Sequence, residues 1–420
     1  MPSLTVLMRK HLGQLVKFVI LFGFSTASGL LKVFLISAIL IPNDFGLYLG
    51  VILVAGLFSY SSSLGIFDAF LVAPRNSSEQ DDLRDKIQSG LMFSSLLSIS
   101  LLLIGLAVLA NQNQFILLGE LSIPSALFIF LQIRVNGLLC VVQGDNRPIL
   151  YAATMGLKNI LAVLCILAVN LDSLGSIILI EIISCLIVII LLHVILKLNL
   201  VSWLKFADTF KFIKLGVWFT ANSFLNNIYN NADKYLVGYL FGSLMLGIYG
   251  FGAQLIAIAV LMNVIVSVFF LPKLVAIYTE KPDRKKLFRY VSLLTTSALV
   301  IGIIVFYTLM IVMPSIISVY LPQYGLALEY IPIICVSGIL IMTNQYELYF
   351  RVRSIGSTFF GIQLSIILMS LIAFAILDYL DSDLLTFLYA LALIRSLNLM
   401  LCVIFGWTDS ISDTRNYSNG

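Results

Sequence analysis

The sequence predicts an all-α polytopic membrane protein of about twelve transmembrane helices. Three observations carry that expectation: an apolar composition, apolar runs of membrane-spanning length, and basic residues sorted to one side of those runs. Of the 420 residues, 60% are hydrophobic and 11% charged, whereas a soluble domain holds about 45–50% apolar and about 25% charged residues. A soluble fold has no core large enough to hide this much apolar surface. The unit that organises the chain is the span of about 20 apolar residues that crosses a bilayer.

Short polar stretches divide the chain into spans expected at residues 12–41, 45–70, 88–110, 115–142, 149–170, 174–196, 212–238, 243–272, 290–313, 328–350, 355–377 and 384–406. The first run follows Arg9, Lys10 and Lys17 and is too long for a signal-peptide core, so it reads as an uncleaved helix. With the N-terminus placed in the cytoplasm, 20 of the 25 basic residues fall in cytoplasmic segments. The expected outside loops carry no basic residue and hold Asp44, Glu120, Asp172, Asp378, Asp381 and Asp383. Excess Lys and Arg on the cytoplasmic side is the main topology signal. It places both termini in the cytoplasm. The longest outside loop is expected from about Pro314 to Ala327 and has no room for a soluble domain, so function is expected inside the membrane.

Several function classes lack their residues. No G-x-x-x-x-G-K-[ST] loop is present for an ATPase. The two histidines, His11 and His193, have no serine and acid spaced as a triad, and no catalytic residue is assigned. The five cysteines, Cys140, Cys165, Cys185, Cys335 and Cys402, all lie in apolar runs without metal-ligand spacing, which argues against a zinc site or disulfide framework. No metal or cofactor is expected. The basic residues are juxtamembrane or intramembrane, so nucleic acid is not an expected partner. The stretch Lys197–Lys214, with Trp203, Lys205 and Lys211, reads as an amphipathic segment on the cytoplasmic surface.

The five remaining bases, Lys32, Arg134, Lys158, Lys234 and Arg395, fall inside expected spans. A charge at the bilayer centre costs about 2.5–3.5 kcal/mol even on a lenient scale, so such residues pair, snorkel or face water. Lys32 can snorkel outward or pair with an acid on another helix. Lys158, beside Asn159, is near mid-span and hardest to explain by snorkelling. Glu181 and Glu347 are candidate partners, and Lys234 adjoins Asp233. In the seventh span Asn222, Asn226, Asn230 and Asp233 or Lys234 recur every three or four residues, along one helical face. That face meets another helix or lines a hydrophilic cavity. Bases outnumber acids within the spans, which favours an anion, and Lys and Arg suit phosphate.

The halves resemble one another. Phe45-Gly46-Leu47-Tyr48 corresponds to Leu246-Gly247-Ile248-Tyr249, each behind a helix with a buried lysine, Lys32 or Lys234. Six spans separate the copies, so the repeat is parallel. Repeats of this kind are a usual build of secondary transporters.

The run Leu40-Ile41-Pro42-Asn43-Asp44-Phe45-Gly46-Leu47-Tyr48 is followed by Leu64-Gly65-Ile66. In the second half stand Asn231-Ala232-Asp233-Lys234-Tyr235-Leu236-Val237-Gly238, Leu246-Gly247-Ile248-Tyr249 and Leu271-Pro272-Lys273. With these motifs the chain resembles the Wzx-type polysaccharide repeat-unit flippases of the multidrug/oligosaccharidyl-lipid/polysaccharide (MOP) exporter superfamily. The resemblance implies a MATE-like fold of two six-helix bundles around a central cavity. The bundles would be 1–196 and 214–420, with an amphipathic linker at 197–213. It implies a bacterial inner-membrane flippase, not an enzyme. Its cargo would be an undecaprenyl-pyrophosphate-linked oligosaccharide, such as an O-antigen unit of lipopolysaccharide. Transport would use alternating access coupled to a proton or sodium gradient. Membrane lipids and other polysaccharide-assembly membrane proteins are the implied partners. The rival readings are a small-molecule antiporter of the same superfamily and a polysaccharide polymerase. The substrate-binding candidates, taken from the charge pattern, are Lys32, Arg134, Lys158, Asn222, Asn226, Asn230, Asp233, Lys234 and Arg395.

Overall fold

In lipid every backbone N–H and C=O must be satisfied within the chain, and a helix does so segment by segment. The structure, a computed structural model, follows that rule: among the described residues there is no strand. It describes residues 4–64, 66–67, 80–110, 122–145, 147–169, 173–199, 206–256, 270, 274–275, 278, 280, 282–353 and 355–416. The first helices are α1 (Leu4–Ile39), α2 (Pro42–Ser63), α3 (Gln80–Ala110), α4 (Ser122–Gly144), α5 (Pro148–Ala168) and α6 (Leu174–Leu196). They are followed by α7 (Phe206–Leu240), α8 (Gly242–Ala253), α9 (Arg284–Tyr320), α10 (Ala327–Thr343), α11 (Tyr346–Val352), α12 (Gly356–Tyr379) and α13 (Leu384–Asn416).

Among the described residues ten stretches are long and apolar enough to cross a membrane: α1 to α6, α9, Ala327–Phe350 (α10 with α11), α12 and α13. The chain is a multi-pass membrane protein. Of the other two expected spans, α7 has the length, 35 residues, but its asparagines and charges make it polar. The other, 243–272, is described at residue 270 and at its start, as the 12-residue apolar α8 and a 3-10 turn at Gln254–Ile256. Helix starts follow local chemistry. Pro42 and Pro148 open α2 and α5, where proline's missing N–H has no intrahelical role. Asp283 caps α9 by accepting from the Lys286 N–H at 2.8 Å. At the α7–α8 junction Gly242 has φ +80, a left-handed conformation that a side chain resists.

One expected loop is shorter than the sequence reading had it. Pro314 does not end its span: α9 runs through it to Tyr320, and a 3-10 turn at Pro322–Tyr324 leads on toward α10. A proline inside a helix removes one N–H donor. Membrane helices tolerate this, and the Leu321 N–H still closes the last turn on the Ile317 carbonyl at 3.0 Å.

The chain forms two compact units, 1–231 and 232–420, divided within α7. In the first, α1 lies along α5, and α4 packs against α2, α3 and α6. In the second, α10 is central, against α8, α9 and α13. Small residues bring the helices close. A methyl group on Gly137 would stand 2.7 Å from the Phe67 ring and 2.8 Å from Leu91, and one on Gly252 would meet Ile334 at 2.8 Å. Large apolar side chains such as Ile20, Leu103 and Val194 in the first unit and Ile304, Ile311 and Leu393 in the second are exposed, the surface that lipid accepts.

Candidate functional site

In the first unit the intramembrane charges meet on one carboxylate. Glu181, on α6, is 2% exposed. Lys32 of α1 donates from Nζ to its Oε1 at 2.6 Å, and Tyr48 of α2 donates to the same oxygen at 2.8 Å. Lys158 of α5 stands 3.7 Å from Oε2, an ion pair without a hydrogen bond. Its ammonium donates instead to Oε1 of Gln132 on α4 and lies 5.6 Å from the centre of the Phe128 ring. Gln132 is fixed in turn: its Nε2 donates to Asn136 Oδ1 at 3.0 Å, and Asn136 Nδ2 donates to Ser59 Oγ at 3.0 Å. Five helices thus build one buried cluster with two ammonium groups and one carboxylate, a net charge of one positive. Low dielectric makes the lysines effective toward a phosphate oxygen and costly to leave uncompensated.

Arg134, two residues beyond Gln132 on α4, has other partners. It donates to Ser95 Oγ at 3.0 Å and lies 3.4 Å from His193 Nε2. The other ring nitrogen of His193 is 2.8 Å from the Ile189 carbonyl. A donor at that nitrogen leaves Nε2 free to accept from the guanidinium.

In the second unit Asp233 of α7 and Arg395 of α13 form a pair at 3.5 Å, with side chains 0% and 1% exposed. Tyr249 of α8 donates to Asp233 Oδ2 at 2.5 Å. Near the pair, a small pocket is lined by Asp233, Leu236, Phe241, Phe374, Phe387 and Leu391. Lys234 follows Asp233 on the same helix and is partly buried. Of the asparagine stripe, Asn230 is partly buried, whereas the side chains of Asn222 and Asn226 lie outside those described. Beside the stripe, Asn231 donates to the Asn227 carbonyl at 3.1 Å. The nine candidates therefore do not form one site: Lys32 and Lys158 meet at Glu181, Arg134 instead meets Ser95 and His193, and Asp233 meets Arg395.

The structure also alters the register of the repeat. Asp233 precedes Tyr249 by 16 residues, as Lys32 precedes Tyr48. The residue equivalent to Lys32 is thus Asp233, not Lys234. The sequence reading matched lysine with lysine and was one residue out. It also passed over Tyr48 and Tyr249 as hydrogen-bond donors, although both end the repeated motif.

A third cluster is absent from the sequence reading. Asp409, near the end of α13, accepts from Arg353 Nε at 3.0 Å, Tyr349 OH at 2.6 Å and Arg284 at 3.4 Å. Arg353 also donates to Tyr278 OH at 2.6 Å. Burial works against the Arg353 charge, but its hydrogen bonds to Asp409 and the charge of that acid outweigh burial and raise its pKa. This clasp gathers the start of α9, the α11–α12 junction and the end of α13 at one end of the second unit. Among the described residues no group of three His, Cys, Asp or Glu could hold a metal ion.

The chain is similar in fold to solved structures of membrane transporters. The chain is similar to a multidrug resistance MATE family transporter of the MOP superfamily in its inward-facing conformation, at 11% identity and TM-score 0.70, covering 94% of this chain and 96% of that one. The outward-facing conformation of a MATE family transporter matches at 14% identity and TM-score 0.65, covering 96% of each chain. A MOP superfamily transporter from Pyrococcus furiosus, described by the reverse polarity of its binding pocket, matches at 12% identity and TM-score 0.64, covering 94% and 95%. Identities this low establish the fold, which is that of the MOP superfamily. The family follows from sequence: residues 35–323 match the model of the polysaccharide biosynthesis proteins. The chain belongs to that family. No curated protein matches it in sequence.

Proposed function

We propose that this protein is a flippase for a lipid-linked oligosaccharide carried on undecaprenyl pyrophosphate. It moves the repeat unit from the cytoplasmic to the periplasmic leaflet of a bacterial inner membrane by alternating access between its two halves, 1–196 and 214–420. Both termini are cytoplasmic, and a proton or sodium gradient drives the cycle. The observation that carries the reading is the cluster in the first unit, where Lys32 and Lys158 share the single carboxylate of Glu181. A surplus ammonium held in low dielectric favours an anionic group such as a diphosphate. Membership of the polysaccharide biosynthesis family supports a saccharide cargo. The asparagines of α7 suit sugar hydroxyls, with Asn222, Asn226 and Asn230 as the candidates. A carrier of cationic drugs needs the opposite balance of charge.

The test is complementation in a bacterium that lacks its own repeat-unit flippase. Expression of this chain is expected to restore surface polysaccharide, and Lys158→Gln to abolish it at equal protein level. Full surface polysaccharide from Lys158→Gln refutes the assigned site. Drug efflux without any restored polysaccharide refutes the assigned cargo.

A further inference from the structure

Glu181 treats its two lysines unequally. Its Oε1 takes both strong contacts, from Lys32 at 2.6 Å and Tyr48 at 2.8 Å. Its Oε2 is buried and makes no hydrogen bond, although Lys158 stands 3.7 Å away. An ammonium has three donors and no acceptor. Lys158 spends one on the neutral carbonyl of Gln132, with the Phe128 ring nearby. An amide dipole and a ring face solvate that charge without neutralising it. Gln132 is held with its oxygen toward Lys158 because its nitrogen is committed to Asn136.

We infer that Glu181 is a tethered counter-anion. It occupies the place of a cargo phosphate when the site is empty and gives up Lys158 when a diphosphate arrives. Lys32 and Tyr48 hold the carboxylate in place, while Lys158 is the exchangeable member. An incoming diphosphate oxygen replaces Glu181 as the counter-charge of Lys158 and takes donors that Gln132 leaves open. Each exchange replaces one weak ion pair by a charge-assisted hydrogen bond. When the anion leaves, Lys158 still has Glu181 to return to, so no ammonium is stranded in low dielectric. Glu181 thereby lowers affinity and speeds release. This deepens the proposed function and rests on its reading of the cargo as a lipid diphosphate.

The test uses the full chain in lipid nanodiscs with inorganic pyrophosphate as the probe and sulfate at equal ionic strength as the control. Binding is read by calorimetry and by the rise in unfolding temperature. Wild type is expected to bind weakly and Lys158→Gln not at all. Glu181→Gln, freed of the competitor, is expected to bind about tenfold tighter, within the usual range for coupled sites. Its unfolding temperature should start lower than that of wild type, because two lysines are left unpaired, and rise more with pyrophosphate. Should that variant not fold, Glu181→Asp carries the test: the shorter acid retracts from Lys158 and should also bind tighter than wild type. Equal or weaker binding by the Glu181 variant tested, or unchanged binding by Lys158→Gln, overturns the inference. The cargo reading fails separately. Tighter pyrophosphate binding by the Glu181 variant, with no lipid-linked oligosaccharide moved by wild type, upholds the counter-anion and rejects that cargo. Oligosaccharide transport without any pyrophosphate binding does the reverse.

Discussion

Lys32 and Asp233 stand at the same place in the two repeats and carry opposite charge. Each lies 16 residues ahead of a tyrosine whose hydroxyl donates to a buried carboxylate. In the first unit the base is on the first helix and the acid, Glu181, on the sixth. In the second the acid is on α7 and the base, Arg395, on the last helix. Both repeats therefore tie their first helix to their last by a buried ion pair with a tyrosine at its side, with the ends exchanged. The first pair is joined by a second lysine, which makes that cluster the better anion site.

Asp233→Asn strands Arg395. That side chain is 1% exposed, and its Nε and one terminal nitrogen already lack hydrogen bonds. Removing one partner of a buried pair costs about 3–5 kcal/mol, while replacing both by apolar residues is often neutral. Thermal unfolding in detergent should show a large loss for Asp233→Asn and recovery in the double variant Asp233→Leu, Arg395→Met. A single variant as stable as wild type contradicts the pair.

The two lysines of the first unit should separate stability from transport. Lys32 holds Glu181 at 2.6 Å, whereas Lys158 is 3.7 Å away and also bonded to Gln132. Lys32→Gln is expected to lower both the unfolding temperature and surface polysaccharide. Lys158→Gln should leave the unfolding temperature near wild type and lower only the polysaccharide. The opposite order of stabilities refutes the assignment of Lys158 as the exchangeable member.

How much of this was legible follows from which signals survive in one dimension. A charge inside an apolar run is conspicuous, so Lys32, Lys158 and Arg395 stood out. Glu181 was named with Glu347 as a candidate partner, and it pairs with two of these bases, whereas Gln132 went unremarked beside Arg134. The spacing of 16 was present in the letters, but matching Lys32 to Lys234 set the register wrong by one residue. One residue turns a helix by about 100° and moves a side chain to another face. Pro314 misled because proline ends most soluble helices, whereas α9 continues through it. The Asp409 clasp joins residues over a hundred positions apart (Arg284 and Asp409), a distance no local pattern spans.

Gly137 tests the close approach of helices in the first unit. A methyl group there would meet the Phe67 ring at 2.7 Å and Leu91 at 2.8 Å. Overpacking of this kind costs about 1–3 kcal/mol. Gly137→Ala should therefore lower the unfolding temperature, and Phe67→Leu in the same chain should restore part of it. No loss in the single variant shows that α4 has room the structure denies it.

Asp409→Asn should loosen one end of the second unit. The change removes the charge that Arg353 and Arg284 share and weakens the bond from Tyr349, at a cost of about 1–3 kcal/mol. Limited trypsin digestion is expected to cut faster at Arg353 and Arg284 in the variant than in wild type. Identical digestion rates argue that the clasp does not restrain that end.

The same clasp also constrains topology, because Arg284, Arg353 and Asp409 share one end of the unit. Basic residues gather there, at Arg284, Lys285, Lys286 and Arg289, and the acids Asp378, Asp381 and Asp383 cluster where α12 gives way to α13. If excess basic charge marks the cytoplasm, Lys285 faces inward and Asp378 faces the periplasm. Both side chains are exposed. In a chain whose five native cysteines are replaced by serine, Asp378→Cys should react with a membrane-impermeant maleimide in intact cells. Lys285→Cys should react only after permeabilisation. Labelling of Lys285→Cys in intact cells reverses the orientation, and with it the proposed direction of transport.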